Sequence, residues 1–187
     1  METLPDPDVR DEAFSPRMRF GWRLAAESFL VPPPEPPRDR MAQDLELWST
    51  EVLAPWLERK MATVEAARRE LDRAAEEDHR QRIMSGAIVG LMYEDVGLAL
   101  RAIPPPAELD DEPEIRGVYR SILQSQARPF LEHARRAYRA CAGNAVQPAG
   151  MRHWRRYCAG RGELLPDVQV DGPALPSGET EVEVLVD

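Results

Sequence analysis

A chain of 187 residues, 43% hydrophobic, has the size and composition of one folded domain with room for a core. Its net charge of −9 sits at the ends: residues 1–13 sum to −4 and residues 166–187 to −6, which leaves +1 for the body and excludes a globally charged surface that steers its partner. The longest apolar run, Ala87–Tyr93, has seven residues, far short of the about 18 of a membrane helix, so no membrane span is expected.

Met1 opens an acidic, proline-containing stretch with neither a basic nor an apolar leader region. As written, this predicts a cytoplasmic chain; a processed or truncated form would place it in the periplasm or cell envelope. Residues 1–16 are expected to be a disordered acidic leader.

Residues 17–37 read as a short helix plus a proline-rich linker. Phe20, Leu24 and Val31 recur at helical spacing, with Trp22 and Phe29 beside them. Five prolines in Val31–Pro37 then predict a stiff polyproline-like spacer that sets this helix apart.

The next helix starts from Asp39 or Asp44 and carries Leu45, Trp48, Val52, Trp56, Leu57 or Met61, Val64 and Leu71 inward. Pro55 should kink it, and Glu76-Glu77-Asp78 should end it while favouring the start of the following helix. That helix, Arg80–Ile103, has Ile83, Ala87, Gly90, Leu91, Val96 or Asp95, and Leu98 as inward candidates. Gly86, Gly90 and Gly97 fall near one face, where small residues admit a close neighbour, and Pro104–Pro106 stop the helix.

A fourth helix runs from Asp111 to Gly143, with Ile115, Tyr119, Ile122, Gln126, Phe130, Ala134, Tyr138 and Cys141 along one side and Pro129 as a second kink. A fifth, Met151–Leu165, turns Trp154, Cys158 and Leu164 or Leu165 inward. Residues 166–187 form an expected disordered acidic tail. The fold class is therefore all-α: a helix-hairpin array over residues 38–165 that pairs the second helix with the third and the fourth with the fifth.

No phosphate loop, nucleophile elbow or dinucleotide fingerprint is present, so no catalytic residue, no enzyme activity and no cofactor is assigned. Glu94 and Asp95 are adjacent, face apart on a helix, and read as a solvated face. His133, Cys141, His153 and Cys158 are ligand types for zinc, but their spacing does not suit a site, and no metal is expected. Cys141 and Cys158 would meet on the inner faces of the last hairpin, either as a disulfide or as two buried thiols.

The same hairpin is basic: eight arginines against Glu132 between Arg128 and Arg161. Arg135, Arg136, Arg139, Arg152, Arg155 and Arg156, interleaved with Tyr138, Trp154 and Tyr157, form a candidate patch for RNA or another anion. Lys60 is the lone lysine of the chain, so an arginine-rich stretch also fits a compositional bias, and the −6 tail could fold back and neutralise the patch.

Met92-Tyr93, Ile103–Pro106, Glu108-Leu109, Pro113–Ile115, Tyr119, Ala127, Pro129, Ala134, Tyr138, Cys141, Trp154 and Cys158 follow one pattern. Over roughly residues 40–165 it resembles the C-terminal part of tetratricopeptide-repeat proteins of the myxobacterial gliding-motility and cell-envelope machinery. The resemblance implies a non-enzymatic scaffold of stacked hairpins, an envelope location and the disulfide. Four tryptophans are also more than one helix pair readily hides, which predicts aromatic binding surface. The expectation is a scaffold that binds a protein partner, or a second copy of itself, in a groove lined by Trp48, Trp56, Tyr93 and Tyr119. Nucleic-acid binding through the arginines is the alternative.

Overall fold

The computed structural model describes residues 14–36, 42–146 and 149–166. Among them the chain is all-α with no strand, and neighbouring helices pack as hairpins. The expected leader and acidic tail lie almost entirely outside the described residues.

Helix α1 (Pro16–Phe29) begins where the Ser15 hydroxyl accepts the Met18 amide at 3.1 Å, with Pro16 in the first turn, where its missing N–H costs nothing. It buries Met18, Gly21, Ala25 and Ser28, whereas Phe20 of the expected face is 42% exposed and Leu24 only half-buried. Close approach selects the small-residue side: a Cβ on Gly21 would lie 2.9 Å from Leu71 Cδ2. Helix α1 packs on the helices at Ala54–Ala75 and His79–Arg101, so the proline segment after it joins this helix to the bundle instead of setting it apart.

Helix α2 (Ala42–Trp48) starts after Asp39, which lies outside the described residues, and carries Asp44 in its first turn, where a negative charge suits the helix dipole. It continues through a π-helical turn, Ser49–Leu53, into α3 (Ala54–Ala75), so the feature beside Pro55 is a wide turn with Pro55 in the first turn of α3. The Ala54 amide reaches back to the Ser49 carbonyl. The widened turn absorbs about one residue of rotation, which brings Trp48 and Trp56, eight positions apart, onto the same inward side. Helix α3 then buries Trp56, Lys60, Val64, Ala67, Leu71 and Ala74. Of the expected stripe, Trp48, Trp56, Val64 and Leu71 are buried, Leu45, Leu57 and Met61 are half-buried, and Val52, in the widened turn, is exposed.

Helix α4 (His79–Arg101) begins at the expected break: the Asp78 carboxylate accepts the Arg80 and Gln81 amides at 2.7 and 2.9 Å. It is the central rod. By length and hydropathy it could cross a membrane, but 72% of the relevant window is buried inside the bundle, as in a core helix.

Its most extensive neighbour is α5 (Pro113–Asn144), reached through a 3₁₀ turn at Ala107–Asp111. The predicted glycines make the seam. A Cβ would lie 3.2 Å from Cys141 Cβ at Gly86, 2.6 Å from the Tyr138 ring at Gly90 and 2.6 Å from Leu131 Cδ2 at Gly97. Those pairings run in opposite directions along the two helices, so α4 and α5 are antiparallel.

The buried line of α5 is Leu123, Ala127, Leu131, Ala134, Tyr138 and Cys141. The expected line through Ile115, Ile122, Gln126 and Phe130 is one residue out of phase over the first half. Helix α5 continues through Pro129, which lies on its exposed side. With 32 residues against the 23 of α4, α5 projects beyond its neighbour, and none of residues 113–122 is buried.

A 3₁₀ turn, Ala149–Met151, leads into α6 (Arg152–Leu164), which packs on α5 and α4 through Trp154 and Cys158. Leu165 is buried and Leu164 is 77% exposed, which resolves that pair of candidates.

Candidate interaction surfaces

Three of the four residues expected to line a groove are core residues. Trp48, Trp56 and Tyr93 are 9%, 3% and 3% exposed, and Trp154 is 1% exposed. The bundle of described helices hides what one hairpin would not, because α1 and its proline segment cover the start of α3. Trp48 donates its indole N–H to the Glu35 carbonyl at 3.0 Å and so fastens the proline segment.

Tyr93 stands between α3, α4 and α5. Its hydroxyl donates to Glu65 Oε1 at 2.6 Å and accepts from Arg68 Nη1 at 3.0 Å, and its ring stacks on His133 at 4.4 Å. Burial, then the bond to Glu65, raises the Tyr93 pKa, while the hydrogen bond with Tyr93 raises that of Arg68. Tyr119 is half-buried near the Pro104 carbonyl, and burial raises its pKa. Trp48, Trp56 and Tyr93 are thus buried in the core and Tyr119 is half-buried against it, so the four do not line an open groove.

Two polar networks replace the expected solvated face at Glu94 and Asp95. The two carboxylates do face apart, but each pairs with a cation: Glu94 with Arg161, whose side chain is 17% exposed, and Asp95 with the buried Lys60. Glu94, 6% exposed, accepts the Tyr138 hydroxyl at 2.5 Å and pairs with Arg161 Nη2 at 2.8 Å, tying α4, α5 and α6 together. Burial, then Glu94, raises the Tyr138 pKa; burial opposes the charge on Arg161, but Glu94 and Tyr138 outweigh it and raise its pKa.

Lys60, 1% exposed, pairs with Asp95 Oδ2 at 2.7 Å and donates to the carbonyls of Ser28 and Val31, supplying donors at the C-terminal end of α1. Sequence reasoning missed both networks because a lysine and a glutamate occupy core-facing positions. The signal for Glu94 was its place four residues after Gly90, on the close-packed face.

Cys141 and Cys158 lie at disulfide distance, S–S 2.05 Å, joining α5 to α6. Paired sulfurs do not supply the thiolates zinc would require. His133 is stacked on Tyr93 with Nδ1 2.9 Å from Arg136 Nη2, and burial, then Arg136 and Arg68, lowers its pKa.

Two exposed surfaces stand out among the described residues. On α6, Arg152, Arg155 and Arg156 share one exposed face at i, i+3 and i+4; Arg139 is exposed on α5. None of these four has an ion pair among the described residues. Arg136 is exposed beside His133, and Arg135 instead donates to the Leu165 and Pro166 carbonyls at 3.4 and 3.2 Å, so the six arginines have unlike roles. The second surface is the projecting start of α5: Ile115, Val118 and Ile122, at i, i+3 and i+7, are 51%, 59% and 53% exposed.

Fold and surfaces together define an all-α protein of antiparallel helix hairpins with a polar-braced core. The chain matches no protein-family model, no curated protein and no solved structure.

Proposed function

We propose that this protein is a non-enzymatic helical scaffold that binds a protein partner through the projecting first turns of α5. The observation that carries this reading is the Ile115, Val118 and Ile122 stripe, an apolar face exposed among the described residues on a helix that runs past its support. The resemblance to tetratricopeptide-repeat assembly proteins supports the role. It is carried over as a class only: α3 and α4, with 22 and 23 residues, exceed a repeat of about 34 residues.

A photo-crosslinking amino acid at Val118 or Ile122, introduced into cells of the source organism, tests it. A discrete protein adduct at both positions and none at Arg120 is expected; no adduct from the stripe overturns it. A second reading, binding of RNA or another polyanion, is favoured by the exposed Arg139, Arg152, Arg155 and Arg156, none of which has an ion pair among the described residues. It requires affinity that falls steeply with salt.

A further inference from the structure

The arginine face of α6 has a candidate occupant within its own chain. Arg152, Arg155 and Arg156 are exposed on one side of the helix, and no carboxylate among the described residues pairs with them. Guanidinium groups bind carboxylates through paired, parallel hydrogen bonds, so such a face suits a run of acids.

Residues 167–187 supply six, Asp167, Asp171, Glu179, Glu181, Glu183 and Asp187, with no base. The chain enters that segment against the hairpin, because Arg135 of α5 holds the Leu165 and Pro166 carbonyls. Extended, the segment reaches about 70 Å, against about 20 Å for the length of α6. Spacing agrees as well. Glu179, Glu181 and Glu183 alternate, so an extended stretch sets neighbouring carboxylates about 7 Å apart. Arg152 and Arg156, one turn apart on α6, are separated by about 6 Å of rise.

We propose that residues 167–187 dock on the Arg152, Arg155 and Arg156 face and occupy it as an intramolecular polyanion. A tethered ligand acts at high effective concentration, so an outside polyanion must displace it first. This inference is independent of docking at α5.

The test uses the whole chain. A spin label at Ser177, introduced as Ser177→Cys, should broaden the amide resonances of residues 152–156 at about 20 mM salt and release them at about 0.5 M. The charge-neutral tail (D167N, D171N, E179Q, E181Q, E183Q, D187N) and the triple variant R152Q, R155Q, R156Q should each abolish the broadening. A heparin oligosaccharide should bind the charge-neutral-tail protein about tenfold more tightly than the native one, with the gap closing at high salt. Absence of broadening, broadening that survives high salt or the triple variant, or equal heparin affinity of the two tails overturns the proposal.

Discussion

The Tyr138 ring rests on the backbone of Gly90: a Cβ added there would stand 2.6 Å from Cδ1 and Cε1, while the hydroxyl donates to Glu94 one turn further along α4. The ring is therefore fixed at both ends and has little freedom to give way.

In an open helix position, alanine is favoured over glycine by about 1 kcal/mol. At Gly90, overpacking costs about 1–3 kcal/mol and should win, so Gly90→Ala is expected to lower the urea midpoint. Gly117→Ala, where nothing lies within 4 Å, should raise it by about 0.5–1 kcal/mol of stability. A rise in both variants would mean that the α4–α5 seam is looser than described.

Lys60 divides its work between a carboxylate and two carbonyls. The Asp95 side chain is 38% exposed, so that half of the pairing is screened by water. The larger loss in Lys60→Met should come from the carbonyls at the end of α1, about 1–3 kcal/mol. Most of it should survive in an Asp95→Asn background, read by a double-mutant cycle in chemical denaturation. A cycle in which Asp95→Asn removes the whole effect would put the stabilisation in the ion pair instead.

These two sites mark what the sequence does and does not reveal. Proline clusters, the acidic break at Glu76–Asp78 and the Gly86, Gly90 and Gly97 face placed the helices and the closest seam, because backbone sterics and capping act locally. The inward faces of α1 and the first half of α5 were displaced by a residue or more, and Val52 of the second-helix stripe turned outward while Trp48, Trp56, Val64 and Leu71 stood where expected. There the deciding facts were tertiary: Gly21 against Leu71, the wide turn at 49–53, and the point where α4 ends beneath α5. Hydrophobic periodicity also gives no credit to a buried Lys60 or Glu94, whose partners lie on other helices. The expected aromatic groove failed for a related reason, since counting tryptophans says nothing about how many helices are available to cover them.

His133 carries a pH dependence. Burial and the cations Arg136 and Arg68 hold its pKa below the usual 6.5, with Glu65 opposing. Between that lowered value and about 6.5 the unfolded chain binds the extra proton, so stability is full above about 6.5 and falls as pH drops through this window. Thermal midpoints across pH 5 to 8 should fall more steeply on acidification in the native protein than in His133→Gln. Parallel curves would remove His133 as the cause.

The Cys141–Cys158 pair closes a loop over a sequence separation of 17. Such a closure stabilises by about 3 kcal/mol, so reductant should lower the melting temperature of the native protein and leave a Cys141→Ala, Cys158→Ala variant unmoved. Equal response of both proteins would show that the thiols are not bonded in solution.

The π-helical turn between Trp48 and Trp56 also makes a statement about chain length. A protein one residue shorter somewhere in 49–53 would relax to ordinary helix there and still keep both indoles inside, whereas the same deletion in α4 would rotate half its glycine seam away from α5. This short stretch therefore acts as a slack joint: the place where evolution or an engineer can add or remove a residue without re-indexing the rods on either side.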